Sequence, residues 1–186
     1  MKSNIFLRKI PLSKRLTLTA LFTALCLVST LVITFPLPYG YLNFGDVFVL
    51  LAGWLLGPIY GTIAAGVGCA LADTISGFAV YALPTLFIKS GVAALAWCIP
   101  TLIKNKKKLL PFEIFRRTLA AIIAECFMLL GYFCFESILY GVAGGALSLL
   151  GNGMQGLCCG VGAVLIFALL TKSKAVQKVF PLFCDE

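Results

Sequence analysis

Five ionisable side chains fall within or at the mouth of long apolar runs: Asp46, Asp73, Lys89, Glu125 and Glu136. A charge near the middle of a bilayer costs on the order of 3 kcal/mol or more, so it is kept where it is paired, wetted or used. Lys89 poses the question most sharply, because it sits inside the apolar stretch LPTLFIKSGVAALAW. It can neutralise Asp73 or Glu136 as an ion pair, donate hydrogen bonds to a bound polar molecule, or do both. Asn152 and Gln155, three residues apart, share a helix face and can act either as ligand contacts or as interhelical glue. Glu125, Leu129, Tyr132, Glu136 and Tyr140 step by four, three, four and four, which predicts one helical stripe with tyrosines a turn to either side of Glu136. Aromatic walls with a few converging hydrogen-bonding groups suit a small, flat, polar ring. Tyr39, Tyr41, Asn43 and Phe44, in the loop before the second segment, are placed to cover such a pocket as a lid. Asp46 reads as a helix N-cap or a ligand contact, and Glu125 as a partner for a basic group or an ion.

Other chemistries are excluded by composition. The chain has no His among its 186 residues, which removes the usual general base and the Ser-His pair. Its eight Cys show no CxxC or other metal-ligand spacing, so no zinc site is expected. No GxxxxGK[ST] run is present, so the chain does not hydrolyse ATP through a P-loop. No catalytic residue, metal or cofactor is expected, and uphill movement of a solute must draw on a partner or an ion gradient.

The elements that position these residues are membrane helices. The chain is 61% hydrophobic and 12% charged, with a mean hydropathy of +1.03; a soluble domain carries roughly a quarter charged residues. The net charge of +8 does not point to nucleic acid. Every Lys and Arg except Lys89 lies before the first apolar run, in the segment 104–117, or after residue 171, as expected for the cytoplasmic ends of spans. Six transmembrane helices are predicted at about 16–35, 46–57, 59–77, 82–103, 116–140 and 146–171, forming a single all-α membrane domain over 1–186 with both termini cytoplasmic. The second segment, at 1.5 Å per residue, reaches about half of the ~30 Å hydrocarbon core. Gly61, Ala65, Gly68 and Ala72 make a smooth face in the third, where another helix can approach closely. On this topology the buried polar residues gather in the outer half, with Glu125 near mid-depth.

The stretch YLNFGDVFVLLAGWLLGPIYGTIAAGVGCALADTISGFAVYALPTLFIKSGVAALAW resembles the core of the substrate-binding S components of energy-coupling factor (ECF) vitamin transporters, in the branch associated with hydroxymethylpyrimidine- or pyridoxine-type ligands. The resemblance covers nearly the whole chain. It implies a multi-pass cell-membrane protein that captures a vitamin at the outer face. It further implies assembly with a transmembrane coupling subunit and two cytoplasmic ATPases, and toppling in the membrane to release the vitamin inside. The family's Ala-x-x-x-Ala docking motif falls on Ala20 and Ala24 in ALFTA. On this reading Lys89, Asp73, Glu136, Asn152, Gln155, Tyr132 and Tyr41 contact the substrate. Two other readings stay open from the residues themselves: an autonomous ion-coupled carrier or channel with Glu125, Asp73 and Lys89 as a relay, and a ligand-free membrane scaffold.

Overall fold

The structure, a computed structural model, describes residues 11–32, 34–37, 40–103, 110–173, 176 and 179–180, with the backbone alone at 34–37 and 40–42. Much of the basic segment that set the expected topology, including Lys104 to Lys108, lies outside these residues. Four helices and one hairpin follow in order: α1 (Leu12–Val32), β1 (Thr34–Leu37), β2 (Gly40–Asn43), α2 (Gly45–Ile75), α3 (Ala79–Leu102) and α4 (Leu110–Leu170). All four helices are long and apolar enough to cross a membrane.

Two glycines divide the longer helices. Gly57 has φ 82° and ψ −169°, and Gly141 has φ 77° and ψ 166°, a region that only glycine enters readily. Pro58 reinforces the first break, since its ring disfavours a helical conformation in the residue before it. Both breaks reverse the chain. A Cβ on Gly61 would stand 2.5 Å from the Ala52 carbonyl, so the two halves of α2 pack backbone to backbone. In α4, Gly145 lies against Ser137 and Phe133, Gly153 nearest Leu129, Gly156 against Glu125 and Gly160 nearest Ala121. The partner numbers fall as the glycine numbers rise, which defines an antiparallel helical hairpin. The four helices thus comprise six helical stretches: 12–32, 45–56, 58–75, 79–102, 110–140 and 142–170.

The smooth face of α2 is buried at Gly61, Ala65, Gly68 and Ala72. Gly68 meets the Thr23 carbonyl and Cys26 of α1, while Gly53 and Gly66 meet the backbone of α3 at Ala93 and Leu86. Small residues therefore let α2 sit between α1 and α3 at backbone distance. Trp54 crosses Phe167 of α4 edge to face at 5.6 Å and closes the core between the two helices.

Beyond shifts of a few residues at helix ends, such as α1 at 12–32 against the expected 16–35, three features differ from those expected. The loop after α1 is a β-hairpin, with Thr34 paired to Asn43 and Leu37 to Gly40; Pro36 and Pro38 bar a helix, and strand pairing satisfies the backbone groups instead. The fold is therefore helical with one two-stranded sheet. α4 begins at Leu110 rather than near 116, where Glu113 pairs with Arg116 at 3.1 Å and supports the first turns as an i,i+3 pair. The stripe on α4 also differs: Glu125, Met128, Tyr132 and Glu136 are buried, whereas Leu129 is half-buried and Tyr140 is 44% exposed. Packing on α3 selects the row through Met128, one position round the helix.

Candidate functional site

The first turn of α2, the middle of α3 and both halves of α4 converge on one sealed polar centre. Lys89 donates to both oxygens of Asp46, at 2.6 and 2.8 Å, with the two side chains 3% and 0% exposed. The partner of Lys89 is thus Asp46 rather than Asp73 or Glu136. The third contact of the ammonium is the Met128 sulfur at 3.0 Å, a weak acceptor. The Tyr132 ring centroid lies 5.3 Å from the same nitrogen, within range of a cation–π attraction, and the Tyr132 hydroxyl shares a 2.9 Å hydrogen bond with Thr85.

Gln155 extends the centre to the hairpin. Its amide nitrogen donates to Asp46 Oδ2 at 2.6 Å, and its amide oxygen accepts the Asn43 N–H at 2.9 Å. Asn43 ends β2, and its side-chain oxygen accepts the Gly45 N–H at 2.9 Å. The N-cap position of α2 is Phe44, which has no capping side chain; Asn43, one residue earlier, satisfies the Gly45 N–H instead, and the Asp46 carboxylate is turned inward to Lys89 and Gln155. One amide joins the buried ion pair to the last residue of the hairpin.

The remaining expected residues lie at varying distances from this centre. Glu136 is buried and accepts from the Tyr81 hydroxyl at 3.4 Å, and Tyr81 also reaches Tyr140; this second cluster lies nearer the Gly141 turn. Asp73 is buried near the end of α2. Asn152 faces a groove between the halves of α4 and makes no hydrogen bond to the centre among the described residues. Tyr41 pairs with Pro36 through the backbone, and its side chain is outside the described residues. Ala20 and Ala24 are both exposed on α1, while Phe22, Cys26, Ser29 and Thr30 form its buried face.

Thr85, Tyr81 and Met128 join the site without having been singled out, and Asn43, expected only as part of a lid, joins it as a hydrogen-bonded link to Gln155. Asn43 carried the one usable signal, since an Asn two residues before Gly45 at a helix start favours a local side-chain bond to the backbone. Among the described residues no three His, Cys, Asp or Glu side chains group as metal ligands do.

Comparison with known proteins bears on this arrangement. A protein of Pyrococcus woesei described as uncharacterized is 36% identical over 119 residues, 63% of this chain and 74% of the relative. A solved structure described as the S component of a bacterial ECF transporter superposes with a TM-score of 0.64 at 23% identity, over 87% of this chain and 98% of the other; that likeness shows a shared fold. Residues 12–172 match the family described as ECF-type riboflavin transporter, S component. With that match running from α1 to the end of α4, the chain belongs to the family of ECF-type riboflavin transporter S components.

Proposed function

We propose that this chain is the substrate-binding subunit of an ECF importer and captures a flat heteroaromatic vitamin of the riboflavin class at the outer face of the cell membrane. The family match supports the flavin over the smaller pyridoxine- or hydroxymethylpyrimidine-type rings that the sequence resemblance implied. In this reading the six helical stretches are six transmembrane helices, both termini are cytoplasmic, and the β-hairpin covers the pocket.

The observation that carries the proposal is the Lys89–Asp46–Gln155–Asn43 chain of hydrogen bonds. Asp46 keeps Lys89 charged and aimed, and the weak Met128 contact is the one an oxygen or ring nitrogen of the vitamin replaces with a stronger hydrogen bond. Tyr132 offers a ring face beside it, and the Gln155 amide both donates and accepts. Glu136, Asp73 and Tyr41 complete the expected contact set around the flavin's polar groups, whereas Asn152 faces the groove between the halves of α4. Ala20 and Ala24, exposed on α1, form the notch onto which a transmembrane coupling subunit docks, with two cytoplasmic ATPases supplying energy.

The test is thermal stability of the purified chain against riboflavin, pyridoxine and hydroxymethylpyrimidine. A ligand at a thousandfold excess over Kd stabilises by about 4 kcal/mol. Riboflavin alone should raise Tm strongly, and a folded Gln155→Leu variant should lose the shift. Stabilisation by pyridoxine or hydroxymethylpyrimidine instead would replace the flavin assignment. Uphill uptake by liposomes holding this chain alone, driven by an ion gradient, would favour the carrier reading and end this one.

A further inference from the structure

The antiparallel halves of α4 leave a groove of about 430 Å³ between them, on the face of the hairpin away from the other helices. Ile122, Leu157 and Val161 form its walls, all more than half exposed, so in a membrane protein the groove opens on lipid. Its floor is made by glycine. A Cβ on Gly160 would find Ala121 no nearer than 3.7 Å, and one on Gly153 would find Leu129 at 3.9 Å. Glu125 is the partition toward the polar centre: its carboxylate oxygens are buried and make no hydrogen bond among the described residues, and its side chain rides over Gly156.

Length and charge identify the occupant. The groove runs from Thr118 and Leu165 at one end to Leu129 and Asn152 at the other. From Thr118 to Leu129 a helix rises about 16 Å, close to half of a ~30 Å hydrocarbon core. The groove therefore has the depth of a single leaflet. Its Thr118 end is also the end at which the hairpin carries Arg116 and Arg117 before α4's apolar part and Lys172 after it. Lys172 is exposed and lies two residues beyond Leu170, the last residue of α4, in a turn closed by its N–H donating to the Leu169 carbonyl at 3.0 Å. We infer that this groove binds one anionic phospholipid of the leaflet at the basic end, its acyl chain along the glycine floor and its phosphate at Lys172. The inference is independent of which vitamin the polar centre takes.

The experiment is native mass spectrometry of the purified full chain released from nanodiscs containing equal phosphatidylglycerol and phosphatidylcholine. One phosphatidylglycerol should be retained, about fivefold over phosphatidylcholine, the preference that one basic residue gives near ~1 kcal/mol. Lys172→Glu should abolish the preference. Gly160→Leu, which fills the floor without meeting backbone, should abolish retention while riboflavin-dependent stability or, lacking that, Tm is unchanged. Val161→Trp, at an exposed wall position, serves the same purpose if Gly160→Leu does not fold. Equal retention of the two lipids, or undiminished phosphatidylglycerol in the filled-groove variant, overturns the assignment. Loss of coupling-subunit assembly with lipid retention unchanged would give the groove to a partner helix instead.

Discussion

Replacing Lys89 with Ala would leave Asp46 fully buried beside Gln155, with its cation gone. Removing one partner of a sealed pair costs about 3–5 kcal/mol, whereas replacing both with apolar residues of similar size is often close to neutral. Lys89→Met should therefore lower stability sharply, and Lys89→Met with Asp46→Leu should recover most of the loss, as read from Tm in detergent without ligand. Both should abolish vitamin binding, which separates the structural role of the pair from its use. Gln155→Leu is a finer probe. It strips a charge-assisted hydrogen bond from Asp46 and orphans the Asn43 N–H, a loss of about 1–3 kcal/mol, and hydrogen exchange at Asn43 should accelerate more than at residues of α3. Equal acceleration throughout would show that the amide does not tie the hairpin to the centre. The spacing of Asn152 and Gln155 predicts a shared face, but Gln155 turns to Asp46 and Asn152 to the groove between the halves of α4, because separation in sequence carries no information on which neighbouring helix each side chain meets.

At the scale of the elements, the positive φ of Gly57 and Gly141 is what turns two long apolar runs into hairpins. Ala at either position should cost about 1–3 kcal/mol in backbone strain. Nothing lies within 4 Å of a Cβ built on Gly141, so an effect of Gly141→Ala on Tm isolates the backbone term; an unchanged Tm would mean that the turn relaxes to another conformation. The Gly57–Pro58 turn was legible in the sequence, since a Gly-Pro pair between apolar runs has few other uses. The hairpin at 34–43 was not. Two prolines signalled the end of α1, but strand pairing depends on the meeting of two short segments that carry no clear alternation of their own. The inward row of α4 was likewise one residue off: Leu129 and Met128 are both apolar, and only the fit against α3 selects Met128.

For the whole molecule, the exposed notch at Ala20 and Ala24 and the sealed centre lie on different surfaces, so docking and binding should separate. Ala20→Trp with Ala24→Trp should leave riboflavin-dependent stabilisation intact and abolish ATP-driven uptake with the coupling subunit and ATPases; retained uptake would remove the notch from the docking surface. The sequence alone determined that this is a helical membrane protein, since hydropathy and the placement of basic residues are properties of the chain as a string. It also identified Lys89 as a residue needing a partner. Only the tertiary structure decided that the partner is Asp46, 43 residues away, because an ion pair forms between whichever charges the packing brings within about 3 Å, and Gly53 and Gly66 let α2 and α3 approach closely enough to bring these two together.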